Sequence, residues 1–218
     1  MTTRKEAIRL RDPFRYFGEA PSDQAIKRAR EDCSGVTGRF QRATFEKFVT
    51  TTAAQRDVVT RCEAFAAKFD PHQWSAPWLI GPPGTGKTHL ASAIARHAIL
   101  QRSLWAKVIS AREIVMQLRA TWGSKDASET EVVDDLAGFD LLVIDEIGVG
   151  VGSDSEMAQL FGVVDARYAH ERPTLVISNL NSSMIKASIG ARMFDRLREG
   201  SDLLVCDWPS HRVSGDAP

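Results

Sequence analysis

From Thr51 onward the apolar positions alternate between two periods. Val58, Cys62, Phe65 and Phe69 recur at spacings of four, three and four, one face of a helix that must stop before Pro71. Trp78, Leu79 and Ile80 form a short continuous apolar run, a glycine-rich loop follows, and Leu90, Ala93, Ile94, His97 and Ala98 resume at helical spacing. The alternation then repeats. Leu104–Ile109 predicts a strand, and Ile114, Val115, Leu118 and Trp122 the buried face of a helix opened by a Ser110/Glu113 capping box. After a polar loop at 123–130, Leu141–Ile144 is a dense apolar strand of the type buried on both faces. Ser153 and Glu156 predict a second capping box, with Met157, Leu160, Phe161, Val164 and Tyr168 facing inward from its helix. Thr174–Ile177 and Leu203–Val205 supply the last strands, separated by a helix ending near Gly200. Alternating strands and helices predict an α/β fold, a parallel five-stranded sheet between helices.

Residues 1–50 lack this periodicity. Pro13, Gly18, Pro21, Gly35 and Gly38 interrupt them, leaving room for at most a short helix around Asp23–Glu31. The stretch holds 11 Lys/Arg against 7 Asp/Glu, a local excess of positive charge. We therefore divide the chain into an N-terminal appendage, 1–45, and a core, 46–218.

Across the whole chain 28 basic residues balance 28 acidic ones, so contact with nucleic acid must use local patches. With 218 residues, 43% of them hydrophobic, one sizeable core is expected and disordered or fibrous classes are excluded. Cys33, Cys62 and Cys206 are far apart with no CxxC pair, which argues against a disulfide framework or a zinc site. The five histidines show no ligand spacing, and none is singled out. No apolar run approaches the roughly 18 residues that span a bilayer, and the N-terminus lacks a secretory apolar segment. A cytoplasmic protein without a membrane contact is expected.

Gly81-Pro82-Pro83-Gly84-Thr85-Gly86-Lys87-Thr88 fits G-x-x-x-x-G-K-[ST] and lies between an apolar strand and a helix. Its backbone N–H groups suit phosphate oxygens, Lys87 the β and γ phosphates, and the Thr88 hydroxyl Mg²⁺. Leu141–Ile144 ends in Asp145-Glu146, two carboxylates at the C-terminal end of a buried strand. Asp145 is expected to hold the metal or its waters and Glu146 to act as general base on an attacking water. No NKxD guanine-reading motif is present, so ATP is favoured over GTP. Asn179 ends another strand where it would orient that water, with Asn181 its competitor. Arg192 and Arg196 share a helical face and Arg212 follows later. Their guanidinium groups suit phosphate charge, in cis or across a subunit boundary, or surface ion pairs with Asp195 or Glu199.

Taken with TFEKF at 44–48, GKTHLASAIA at 86–95, DLLVIDEIG at 140–148, ISNLN at 177–181, GARMFDRL at 190–197 and WPSHR at 208–212, the chain resembles DnaC-type replicative helicase loaders of the AAA+ class over roughly residues 40–215. The resemblance implies a P-loop NTPase of AAA+ type with no full helical lid after Arg212. It implies a weak, DNA-stimulated ATPase using ATP and Mg²⁺, self-associating when ATP-bound, with a hexameric DnaB-like helicase and single-stranded DNA as partners. By position Asn179 looks like the first sensor, Arg192 and Arg196 like the arginine-finger region, and Arg212 like the second sensor. Arg119 and Trp122 look similar in position to the single-strand-binding element, although Trp122 also fits the apolar stripe of its helix. Phe14, Tyr16 and Phe17, interleaved with Arg11 and Arg15, fit a helicase-binding segment. An IstB-like transposition helper, and an ATP-binding adaptor with little turnover, are the alternatives.

Overall fold

Five short strands, β1 (Trp78–Ile80), β2 (Ala106–Ser110), β3 (Leu141–Asp145), β4 (Thr174–Ser178) and β5 (Leu203–Val205), pair in parallel in the order β2-β3-β4-β1-β5. The computed structural model describes residues 22–123, 128–150 and 152–211. Successive strand residues point to opposite faces, so the continuous apolar runs serve two cores at once. Leu79, Val143, Leu175, Ile177 and Leu204 face α2 (Ala53–Lys68) and α3 (Lys87–Arg102). Trp78, Leu142, Ile144 and Val176 face the other side, covered by α4 (Ala111–Arg119), α5 (Glu129–Ala137), α6 (Asp154–Ala169), α7 (Ser182–Ile189) and α8 (Ala191–Arg198). Both expected capping boxes form, and Thr52/Gln55 and Ser128/Glu131 make two more.

The structure departs from the sequence reading in four places. Helix α5 lies where no element was expected; its acidic surface masks the pair Val132 and Leu136, which bury against the second core. The single helix expected before Gly200 is two, broken at Gly190, whose φ of 78° with ψ 157° is a conformation that L side chains rarely adopt. Strand β2 starts two residues later than expected because the Trp105 N–H is bound by the Asp140 carboxylate and the indole turns toward Ala29 and Phe139.

The fourth departure concerns the boundary at residue 45, where packing shows no break. Helix α1 (Asp23–Cys33) buries Ala29 against Trp105 and Phe139, and the Val108 N–H donates to Ser34 O at 2.7 Å, continuing the β2 edge. Phe45 and Phe48 join the α2/α3 core, and a 3-10 helix at Gly38–Arg42 lies against α3.

Arg167 is fully buried at the end of α6, yet donates to the carbonyls of Leu136, Ala137, Phe139 and Pro173 and to the Thr174 hydroxyl. It thereby ties off the C-terminus of α5, where backbone carbonyls have no intrahelical partner. Burial pushes the Cys206 thiol up to about 12 and raises that of Cys62, which leaves both as packing groups.

Candidate functional site

The loop from Gly81 to Gly86 joins β1 to α3 at the C-terminal edge of the sheet, where open α/β sheets bind ligands. Gly86 is the N-cap of α3 with φ 92°, and a Cβ there would collide with the Phe48 ring. Only glycine meets both requirements. The first-turn N–H groups of α3 and its positive dipole end therefore face the loop's concavity.

Lys87 is buried, and its Nζ donates to Gly81 O and Pro82 O, each at 2.7 Å. The Thr88 hydroxyl donates to Asp145 Oδ2 at 2.9 Å, and the Glu146 N–H donates to Asp145 Oδ1 at 2.8 Å. Burial raises the Asp145 pKa above the ordinary aspartate value, against the lowering effect of those two hydrogen bonds and of Lys87. A carboxylate held at this cost suits a cation. Glu146 itself adopts a left-handed backbone, φ 58°, costing about 1–2 kcal/mol for a residue with a Cβ. That turn separates the two carboxylates: Asp145 is tied inward while Glu146 is exposed at the cavity wall.

These groups line one cavity of about 640 Å³. Asn179, like Glu146, lines it, whereas the Asn181 side chain is used as the N-cap of α7, accepting from Met184 N at 2.9 Å. Of the two asparagines, only Asn179 is among the cavity-lining residues. The cavity is also lined by residues that no sequence argument gave a role: Arg39, Phe40, Lys47 and Phe48 from the N-terminal segment, and His89 and His211. Phe48 packs edge-on to His89, Trp208 and His211, and His89 Nε2 lies 2.8 Å from Thr44 O. The TFEKF segment was the available signal, but only packing shows that it borders the loop.

The remaining sequence-predicted residues lie elsewhere. Arg192 and Arg196 do not line the cavity. Both guanidinium groups stack on Phe161, and Arg196 also pairs with Asp165 and lies over Tyr168. Trp122 falls in the turn beyond α4 and is 59% exposed, so the apolar-stripe reading does not hold. Arg119 lies over its ring and pairs with Glu156 at 3.0 Å. Arg212, and Phe14, Tyr16, Phe17, Arg11 and Arg15, lie outside the described residues.

An amide-lined loop, a buried lysine and two carboxylates separated by a turn make a site for a nucleoside triphosphate. Comparisons with known proteins agree. The profile of the "IstB-like ATP binding protein" family matches residues 47–214. The replicative helicase loader DnaC of Escherichia coli K12 is 33% identical over 180 residues, covering 82% of this chain and 73% of that protein. DnaC of Buchnera aphidicola subsp. Schizaphis graminum is 33% identical over 188 residues, with coverages of 84% and 75%. Among solved structures, a crystal structure of the DnaC helicase loader superposes with TM-score 0.71 at 20% identity, over 78% of this chain and 99% of that one. The AMPPCP-bound DnaA of Aquifex aeolicus gives 0.64 at 20%, with coverages of 75% and 49%. The fold is thus the P-loop domain of AAA+ proteins, and the chain belongs to the IstB-like ATP binding protein family.

Proposed function

We propose that the protein is an ATP-dependent loader that delivers a hexameric, DnaB-like replicative helicase to single-stranded DNA in the cytoplasm. The observation that carries this reading is the similarity to helicase loaders across four-fifths of the chain. The site residues support a weak ATPase. Mg²⁺ would neutralise phosphate charge there. The Thr88 hydroxyl and the Asp145 carboxylate, 2.9 Å apart, are the oxygen donors that would hold it. Lys87 exchanges its two carbonyl partners for β and γ phosphate oxygens. Glu146 takes a proton from the attacking water, and Asn179 orients that water. Arg192 or Arg196 would supply positive charge to a neighbouring subunit's phosphates, which fits their place outside this chain's own cavity and an ATP-bound self-association. Arg212 would act as the second sensor.

Exposed Trp122 beside Arg119 offers a stacking face and a cation, the two elements of single-strand binding. The N-terminal segment is the proposed helicase contact. Residues 1–45 are the proposed contact, and within them 22–45 also pack on the core. The decisive experiment mixes the protein with the replicative helicase of its own source organism on closed, protein-coated single-stranded circles. ATP-dependent helicase loading is expected, and a stable complex should be lost on deleting residues 1–21. Capture of a transposase, with no helicase bound, would instead support the transposition-helper reading that the family name favours.

A further inference from the structure

The segment 208–211 is strapped to the back of the phosphate loop. The Trp208 indole is buried and its Nε1–H donates to Thr85 O at 2.9 Å. Three residues on, the His211 N–H donates to Gly84 O at 2.9 Å, and Ser210 fills the space that a side chain on Gly84 would need. Trp208 does not line the cavity, whereas Gly84 and Gly86 do.

Peptide groups here are trans, so the C=O of one residue and the N–H of the next point in opposite directions across a rigid plane. A donor that draws the Thr85 carbonyl back into the core therefore turns the Gly86 N–H outward, into the cavity that Gly86 lines. We infer that Trp208 is a positioning residue for phosphate: its indole N–H, acting through the Thr85–Gly86 peptide, sets the loop's amide cradle before any nucleotide arrives. The inference rests on the ATP-binding reading of the site and adds to it a pre-organising contact from β5's far side. Without that bond the peptide plane is free to rotate, and binding must then pay to orient the amide.

The effect is specific in kind. The hydrogen bond acts on the phosphate cradle through the Thr85–Gly86 peptide, and a replacement that keeps the fused-ring shape leaves the packing of Trp208 on Phe48 in place. Loss of the N–H should therefore weaken ATP and inorganic tripolyphosphate by the same factor. One neutral hydrogen bond sets the size at about three- to tenfold.

The test uses the full chain, Trp208→Phe, and site-specific replacement of Trp208 by benzothienylalanine, which keeps the fused-ring shape but lacks the N–H. Calorimetric Kd values for ATP and for tripolyphosphate, the KM and kcat of hydrolysis, and the Tm without ligand are measured for each. The expected result for the benzothienylalanine protein is an unchanged Tm, equal loss of affinity for both ligands, raised KM and unchanged kcat. Unchanged affinities in that protein, or a loss for ATP without one for tripolyphosphate, overturn the inference. A Trp208→Phe protein that fails to fold leaves the decision to the isosteric variant. Wild-type protein that binds neither ligand overturns the ATP-binding reading itself, and the inference with it.

Discussion

The phosphate site and helix α8 carry the basic residues of the proposed mechanism, and they are built in opposite ways. At the phosphate site the groups hold one another: Lys87 on loop carbonyls, Thr88 on Asp145, Asp145 on the Glu146 backbone. All of these come from two strand ends and one helix start. On α8, Arg192 and Arg196 are held away from the cavity by Phe161, Tyr168 and Asp165 of α6. The difference separates two tasks. On the proposed function, binding a triphosphate would need only what one chain brings together, while the charge that helps to break it would come from the outer surface of a second molecule.

The sharpest way to break this comparison is Lys87→Ala, which should abolish ATP binding in a calorimetric titration. Unchanged affinity would remove the phosphate site from the comparison altogether. Next in size, the double variant Arg192→Ala, Arg196→Ala should bind ATP normally yet lose hydrolysis by roughly a thousandfold, the scale of a missing arginine finger. Mixed with Lys87→Ala protein it should recover part of that activity, because each variant retains what the other lacks. No recovery in verified mixed oligomers would mean that the arginines act in cis.

Glu146→Gln should keep Mg·ATP bound and slow phosphate release by roughly a hundredfold, as for a lost general base. A wild-type rate would leave the exposed carboxylate without that role. Trp122→Ala should weaken single-stranded DNA by about tenfold in fluorescence anisotropy, from one lost stacking face, with ATP affinity unaffected. Equal DNA affinity would move that interface elsewhere.

The smallest effect concerns Asp145. Its pKa is raised by burial, so the folded protein binds more protons than the unfolded chain as pH passes from the ordinary aspartate value to the raised one. Stability from this group is therefore present at acid pH and lost as pH rises through that window. Nucleotide-free Asp145→Asn should melt a few degrees higher than wild type at neutral pH, and the two curves should converge in acid. A variant less stable at neutral pH would show that the carboxylate's hydrogen bonds outweigh its burial.

Much of this was legible in residue order. The five strands are short, mostly apolar runs, β3 and β4 closing on Asp145 and Ser178, and two of the capping boxes are plain i, i+3 pairs, so their positions follow from local chemistry. The phosphate loop is equally local, because its function requires glycines, a lysine and a hydroxyl within eight consecutive positions. Lys87 and Thr88 could be read as candidates for that reason, and Asp145 and Glu146 as candidates from their place at the end of a buried apolar strand. What needed the tertiary structure is contact between distant segments. Residues 22–48 carry no long apolar period, yet Phe48 fits against Gly86 and Phe40 borders the cavity. Arg167 looks like a surface charge of α6 until four carbonyls of other segments surround it. Trp122 fits the apolar stripe of α4 by spacing, but the helix ends at Arg119 and the ring turns to solvent. The bond from Trp208 to Thr85 spans 123 positions. Periodicity reports which face of an element is apolar; only the packed sheet decides which distant side chain meets that face, because the partner is chosen by shape and hydrogen bonding after the elements have formed.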